Sequence, residues 1–181
     1  MKKTKAKPVA KPKAKTKAQP KKDRAQSNAE RAFRSVRESL TQVGWEPEET
    51  DVEGMLRVDF RDDDIPVADA LAIVRFDTER FLWYLNFRTE VPSKLREEMS
   101  EFLTRANSGL VVGNFEMDWT DGAVRFKSSV DFTEEELSAT LIRNAIVSAM
   151  DVVEHYGELL EQVARGKLSA LKAAAKADAT L

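Results

Sequence analysis

The sequence predicts an α+β domain: an antiparallel sheet of about five strands with three helices, in the order α-β-β-β-α-β-β-α. Three observations predict it. Residues 107–132 (NSGLVVGNFEMDWTDGAVRFKSSVDF) read as a β-hairpin closed by Asp121-Gly122, a pair suited to a tight type I′ turn. Residues 67–76 and 81–88 are apolar on both faces, the pattern of strands covered on both sides, or covered on one side and paired with a partner on the other. Three further stretches carry apolar residues at helical spacing.

Ser27 reads as the N-cap of a helix over about 28–43, with Ala29, Phe33, Val36, Leu40 and Val43 on one stripe and Gly44 at its end. Residues 45–51 read as an irregular approach to the sheet. Over 55–61, Leu56, Val58 and Phe60 alternate with Arg57, Asp59 and Arg61, giving a half-exposed strand. Asp62, Asp63 and Asp64 form an acidic turn before Pro66. The turn lacks the glycine and distant glutamate of a calcium loop, so a solvated turn is expected. The short 77–80 link makes a hairpin of the two apolar strands.

Pro92 opens a second helix, about 93–106, with Leu95, Met99, Phe102, Leu103 and Ala106 on one face and Asn107 and Gly109 at its end. In the hairpin, Trp119 is expected opposite Val124, Met117 opposite Phe126, Phe115 opposite Ser128, Gly113 opposite Val130 and Val111 opposite Phe132. The outer face then pairs Asp118 with Arg125 and Glu116 with Lys127. This register buries Trp119. Thr133 and Glu136 are read as a capping box opening a third helix towards Gly166. Its stripe is Leu137, Leu141, Ala145, Ala149, Val152, Tyr156, Leu159 and Val163, with Gly157 a point of weakness. Residues 167–181 are Ala- and Lys-rich, too short and polar to hold a helix firmly alone.

Charge divides the chain. The whole carries −2, but residues 1–26 hold ten lysines and Arg24 against Asp23, a net +10, which leaves −12 on residues 27–181. Residues 1–26 are expected to be a disordered Lys/Ala/Pro-rich arm, 27–166 the folded domain and 167–181 a tail. The arm suits phosphates through Lys11, Lys13, Lys15, Lys17, Lys21 and Lys22, or it serves solubility alone. No aromatic residue stands among its lysines, so contact would be by charge and not by base stacking. The chain has no cysteine, which removes disulfides, thiolate nucleophiles and Cys-ligated metals. No apolar run reaches bilayer length and no secretory signal is visible, so a cytoplasmic protein without membrane contact is expected.

Little chemistry is offered. His155, four residues after Asp151, has no second ligand or nucleophile beside it and reads as an ordinary helix-face histidine. Gly109 and Gly113 neither follow a strand nor open a helix, so they make no phosphate loop. Trp83, Tyr84, Phe115 and Trp119 either line a groove or fill the core. Val112, Asn114, Glu116, Asp118, Arg125 and Lys127 form a charged outer face, read first as solvated. Trp83, Tyr84, Val112 and Asn114 are the candidates for a protein-binding surface. No catalytic residue, cofactor or metal is expected.

The element order, with RANSGLVVGNFEMD feeding WTDGAVRF and a long closing helix, resembles the YbjN family over about residues 28–165. That resemblance implies a fold like class I type III secretion chaperones. It also implies a non-enzymatic regulator, often dimeric, whose partners are other proteins. The lysine-rich arm lies outside the family pattern. The reading is therefore a chaperone-like or adaptor module that binds another polypeptide. The alternative is a nucleic-acid-associated protein whose arm engages phosphates, and a small enzyme stands third.

Overall fold

The structure is a computed structural model that describes residues 27–62 and 64–179. Its elements are α1 (Asn28–Gln42), β1 (Glu48–Glu49), β2 (Met55–Asp59), β3 (Val67–Arg75), β4 (Arg80–Glu90), a 3-10 turn (Ser93–Leu95), α2 (Arg96–Gly109), β5 (Asn114–Met117), β6 (Ala123–Asp131), α3 (Ala139–Ala164) and α4 (Ala170–Asp178). The strands form one antiparallel sheet in the order β1-β2-β3-β4-β6-β5. The predicted class holds, with one more strand and one more helix than expected. The additional strand, β1, is a two-residue pairing of Glu48 with Arg57 and Glu49 with Leu56, too short to leave a periodicity in the sequence.

Strand alternation sends Leu56, Val58, Ala70, Ala72, Val74, Phe81, Trp83, Leu85, Phe115 and Phe126 to one face, where they are buried with the apolar sides of the helices in a single core. Each large side chain so buried contributes about 1.5–3 kcal/mol relative to exposure. Trp83 is fully buried there, stacked on Trp45 at 5.8 Å and 8°. Phe115 sits between Phe126 (5.1 Å) and Tyr156 of α3 (5.5 Å), so it closes the core between sheet and helix.

α1 begins where predicted. Ser27 Oγ accepts from Glu30 N, and Glu30 Oε2 accepts from Ser27 N, a complete capping box. Val43, placed on the stripe by spacing, lies past the last turn and is half exposed. α2 runs on through Gly109. Asn107 does not stop it. Its amide instead grips β5, accepting from Phe115 N and donating to Phe115 O.

The hairpin register differs from the expected one by two residues. Met117 pairs with Val124, Phe115 with Phe126, Glu116 with Arg125 and Asn114 with Lys127. A shift of two preserves which face each residue takes, so the apolar pattern alone could not distinguish the registers. The decision lies in the turn. Residues 119–122 form a longer loop in which Gly122 N donates to Asp118 O and Asp118 N to Ala123 O, with Gly122 at φ +86. Asp118 and Asp121 hold it further by accepting from Thr120 N and Ala123 N. Trp119 is thereby lifted out of the strand and is 55% exposed, and Val111 and Gly113 lie in the loop before β5 instead of facing Phe132 and Val130.

α3 starts at Ala139, later than expected, capped by Ser138. Thr133 is not its cap because Asp131 takes the Thr133 N–H and hydroxyl proton, and Thr78 O also faces that hydroxyl. The buried face follows Ile142, Ala145, Ile146, Ala149, Val153, Tyr156, Leu160 and Val163. Leu141 is exposed, while Val152 and Leu159 reach the core only at its edge. Gly157 breaks nothing. It lies against Pro66, where a Cβ would come within 2.6 Å of the ring.

The Ala/Lys-rich end also differs from expectation, because residues 170–178 form α4. Ser169 caps it, Glu98 of α2 accepts from Ala170 N, and Ala170, Ala173 and Ala177 are buried. Alanine is the best helix former, and its small side chain lets α4 lie close on its neighbours, so packing supplies what length does not.

Candidate protein-binding face

With the helices on one face, the other face of the sheet is uncovered, and its residues fall into rows defined by the register. One row runs Arg57–Leu71–Tyr84–Lys127–Asn114, the next Met55–Ile73–Leu82–Ser129, and a third Asp59–Asp69–Asn86–Arg125–Glu116. The centre is an apolar island of Leu71, Ile73, Leu82 and Tyr84, half-buried by one another and by flanking polar side chains. Both apolar runs of the sequence thus resolve into strands buried on one side and left open on the other. Leu71, Ile73 and Leu82 were missed as site residues, although their signal was present: apolar residues at the outward positions of β3 and β4.

Charged pairs fence the island. Arg57 bridges Asp59 (2.8 Å) and Asp69 (3.3 Å), Asn86 donates to Asp69 (2.7 Å), Arg80 meets Asp131 (3.3 Å), and Arg125 and Lys127 both hold Glu116. The Arg125 guanidinium lies 4.5 Å above the Tyr84 ring, a cation–π contact. Burial pushes the Glu116 carboxyl up, but the hydrogen bonds from Lys127 and Arg125 together outweigh it and leave its pKa below the usual value. The expected Asp118–Arg125 pair is replaced by this two-cation clamp, a direct result of the register. Beside it, a cleft of about 730 Å³ runs from Asp69 and Asn86 past Met117 to Trp119.

The predicted site residues separate. Tyr84 and Asn114 share the outer face and one row. Trp83 belongs to the core and is removed from the surface by strand alternation. Val112 is 48% exposed, beside Val111 at 98%, in the loop entering the edge strand β5. At the other end of β5, the Trp119 side chain is exposed and its backbone carbonyl is held by Arg96. Arg96 donates to Val91 O (3.2 Å), Trp119 O (2.7 Å) and Thr120 O (3.4 Å), and Val91 N donates to Gly122 O. The arm lysines Lys11, Lys13, Lys15, Lys17, Lys21 and Lys22 lie outside the described residues.

Other candidate chemistry is placed plainly. His155 stands on α3, edge-on to Tyr156 at 4.6 Å, its Nε2 shielded and without a hydrogen-bond partner among the described residues. Among those residues no group of three or more His, Asp or Glu is arranged to hold a metal ion. The acidic turn is clamped from the backbone side, since Arg88 donates to Phe60 O, Asp62 O and Ile65 O. No helix among the described residues is long and apolar enough to cross a membrane.

The family model described as "YbjN: Putative bacterial sensory transduction regulator" matches residues 33–162. The crystal structure of YbjN from E. coli is similar at a TM-score of 0.52 and 14% identity, covering 74% of this chain and 92% of that one. A chain in the crystal structure of the ExsC-ExsE complex aligns at a TM-score of 0.49 and 18% identity, covering 73% and 95%. No curated protein matches the chain. The match spans most of the sequence and the whole of the sheet, and the chain belongs to the YbjN family.

Proposed function

We propose that the domain is a non-enzymatic protein-binding module of the chaperone-like or adaptor kind, and that it takes another polypeptide on the open face of its sheet. The observation that carries this reading is the uncovered island of Leu71, Ile73, Leu82 and Tyr84. A single exposed apolar residue is ordinary, but a contiguous group at the centre of a sheet face, ringed by polar pairs, has the anatomy of an interface core and rim. Family membership supports a regulator. The partner itself is proposed from the open face and its polar fence.

The test compares capture from a native lysate by the parent chain with capture by Leu82→Glu and Tyr84→Ala chains of unchanged melting temperature. The reading expects a protein retained by the parent and lost from both variants. A captured set identical for all three would show that the outer face does not bind the partner.

A second reading concerns the arm, and the charge segregation of +10 against −12 favours it. In it, residues 1–26 bind phosphates without sequence preference. If about 6 phosphates are neutralised, log K on duplex DNA should fall with log salt at a slope near −5. Salt-insensitive binding by a chain beginning at Ser27 would contradict it.

A further inference from the structure

We propose that residues 11–17 of the basic arm dock within their own chain, in an acid-rimmed cleft between α3 and the end of β4. The cleft has a volume of about 600 Å³ and lies on the opposite side of β4 from the apolar island. Its floor is apolar, made by Pro66, Phe87, Met150, Val153 and Leu160, and its rim carries Asp64, Glu154, Glu158 and Glu161. Among the described residues, Arg88 and Arg165 stand nearby, and both are engaged. Arg88 is spent on three backbone carbonyls of residues 60–65, and Arg165 pairs with Glu161. Glu158 accepts from Gln162, which leaves it ionic demand, and no ion pair to Glu154 or Asp64 is found among the described residues.

The arm fits this cleft in charge, pattern and reach. It carries +10 and residues 27–181 carry −12. Its segment KPKAKTK places Lys11, Lys13, Lys15 and Lys17 at every second position. In an extended chain successive side chains point to opposite sides, so Pro12, Ala14 and Thr16 would face the floor while the lysines reach the rim. The arm joins the body at Ser27, beside the start of α3: Asn28 Nδ2 donates to Glu135 O at 2.8 Å. From Ala139 to Glu154 is about 22 Å along the helix axis at 1.5 Å per residue. Residues 18–26, extended at about 3.3 Å each, span about 30 Å, enough to bring residues 11–17 to the rim. A segment tethered this closely meets its own cleft at a local concentration in the millimolar range, well above that of a second copy in dilute solution. Docking there also sets the arm in competition with any external phosphate. The proposal does not depend on the open sheet face, which lies on the other side of the molecule.

The chain has no cysteine, so Ala14→Cys gives a single attachment point for a nitroxide in the full chain. Amide signals are then compared with the nitroxide oxidised and reduced. At low salt the proposal expects broadening concentrated on α3 around Glu154 and Glu158 and on residues 64–66. It expects the signals to recover at about 0.5 M salt, where the Debye length falls to a few Å. Recovery is also expected in a Glu154→Gln, Glu158→Gln chain. Uniform weak broadening, or broadening centred instead on Glu134, Glu135 and Glu136 at the root of the arm, would overturn it. A mixed sample of isotope-labelled and spin-labelled chains assigns the occupant. Equal broadening there would place a second copy's arm in the cleft and overturn docking within the chain.

Discussion

Gly122 shows how one residue decides a register. At φ +86 its Cα faces Val91 O, and an added Cβ would fall well inside van der Waals contact with that oxygen. Gly122→Ala should therefore cost about 2 kcal/mol or more, from the left-handed backbone and the clash together, read as a lower denaturation midpoint. Trp119→Ala, by contrast, should change stability by less than about 1 kcal/mol, because this side chain is more than half exposed. A buried tryptophan would cost about 3–5 kcal/mol, so the same titration checks the register. Gly157 offers a third case. In an open helix Gly→Ala gains up to about 1 kcal/mol. Here the new methyl meets the rigid Pro66 ring, and Gly157→Ala should lower the melting temperature. The sequence marks both glycines as unusual. It does not show which neighbour each one admits, since Val91 and Pro66 are distant along the chain and arrive only with the tertiary fold.

At the scale of elements, periodicity was legible wherever one face is buried. α1, α2, β2, β3 and β4 lie close to their predicted places, and Ser27 is the cap it resembles. What periodicity left open was decided by local polar competition. Asp131 claims Thr133 and delays α3, while Asp118 and Asp121 stabilise a long turn over a tight one. The outcome places Glu116 between two cations. Its carboxyl, with a usual value of 4.5, is lowered by them in the folded state. Its contribution is thus present above the unfolded value and is lost as pH falls through the lower folded value. Glu116→Gln should melt below the parent at pH 7, and the gap should close as pH falls through the lowered folded value. A gap that persisted in acid would show that the clamp acts through shape and not charge. α4 was illegible for another reason. Its stability comes from α2, through buried alanines and Glu98, so its own composition could not reveal it. Ala173→Asp should destabilise the whole domain, visible as a lower midpoint of unfolding.

Over the whole molecule the division is between a basic arm and an acidic body with two distinct surfaces. The apolar faces of the described elements are buried in a single core made by those elements, so a chain beginning at Ser27 should melt within a few degrees of the full chain in a calorimeter. A large loss would mean the arm contributes to the core. Of the candidate site, the sequence showed that β3 and β4 are apolar on both sides and that one reading of this is a waiting partner. It could not show which residues gather, because the island of Leu71, Ile73, Leu82 and Tyr84 exists only through the β3–β4 register. Nor could it show that the helices all choose the other face. If the open face receives a polypeptide, hydrogen exchange mapped along the chain, free and with a captured partner, should slow in β3, β4 and β6, whose residues make that face, and stay unchanged in α3 and α4. Protection confined to the helices, with these strands exchanging as in the free protein, would contradict it.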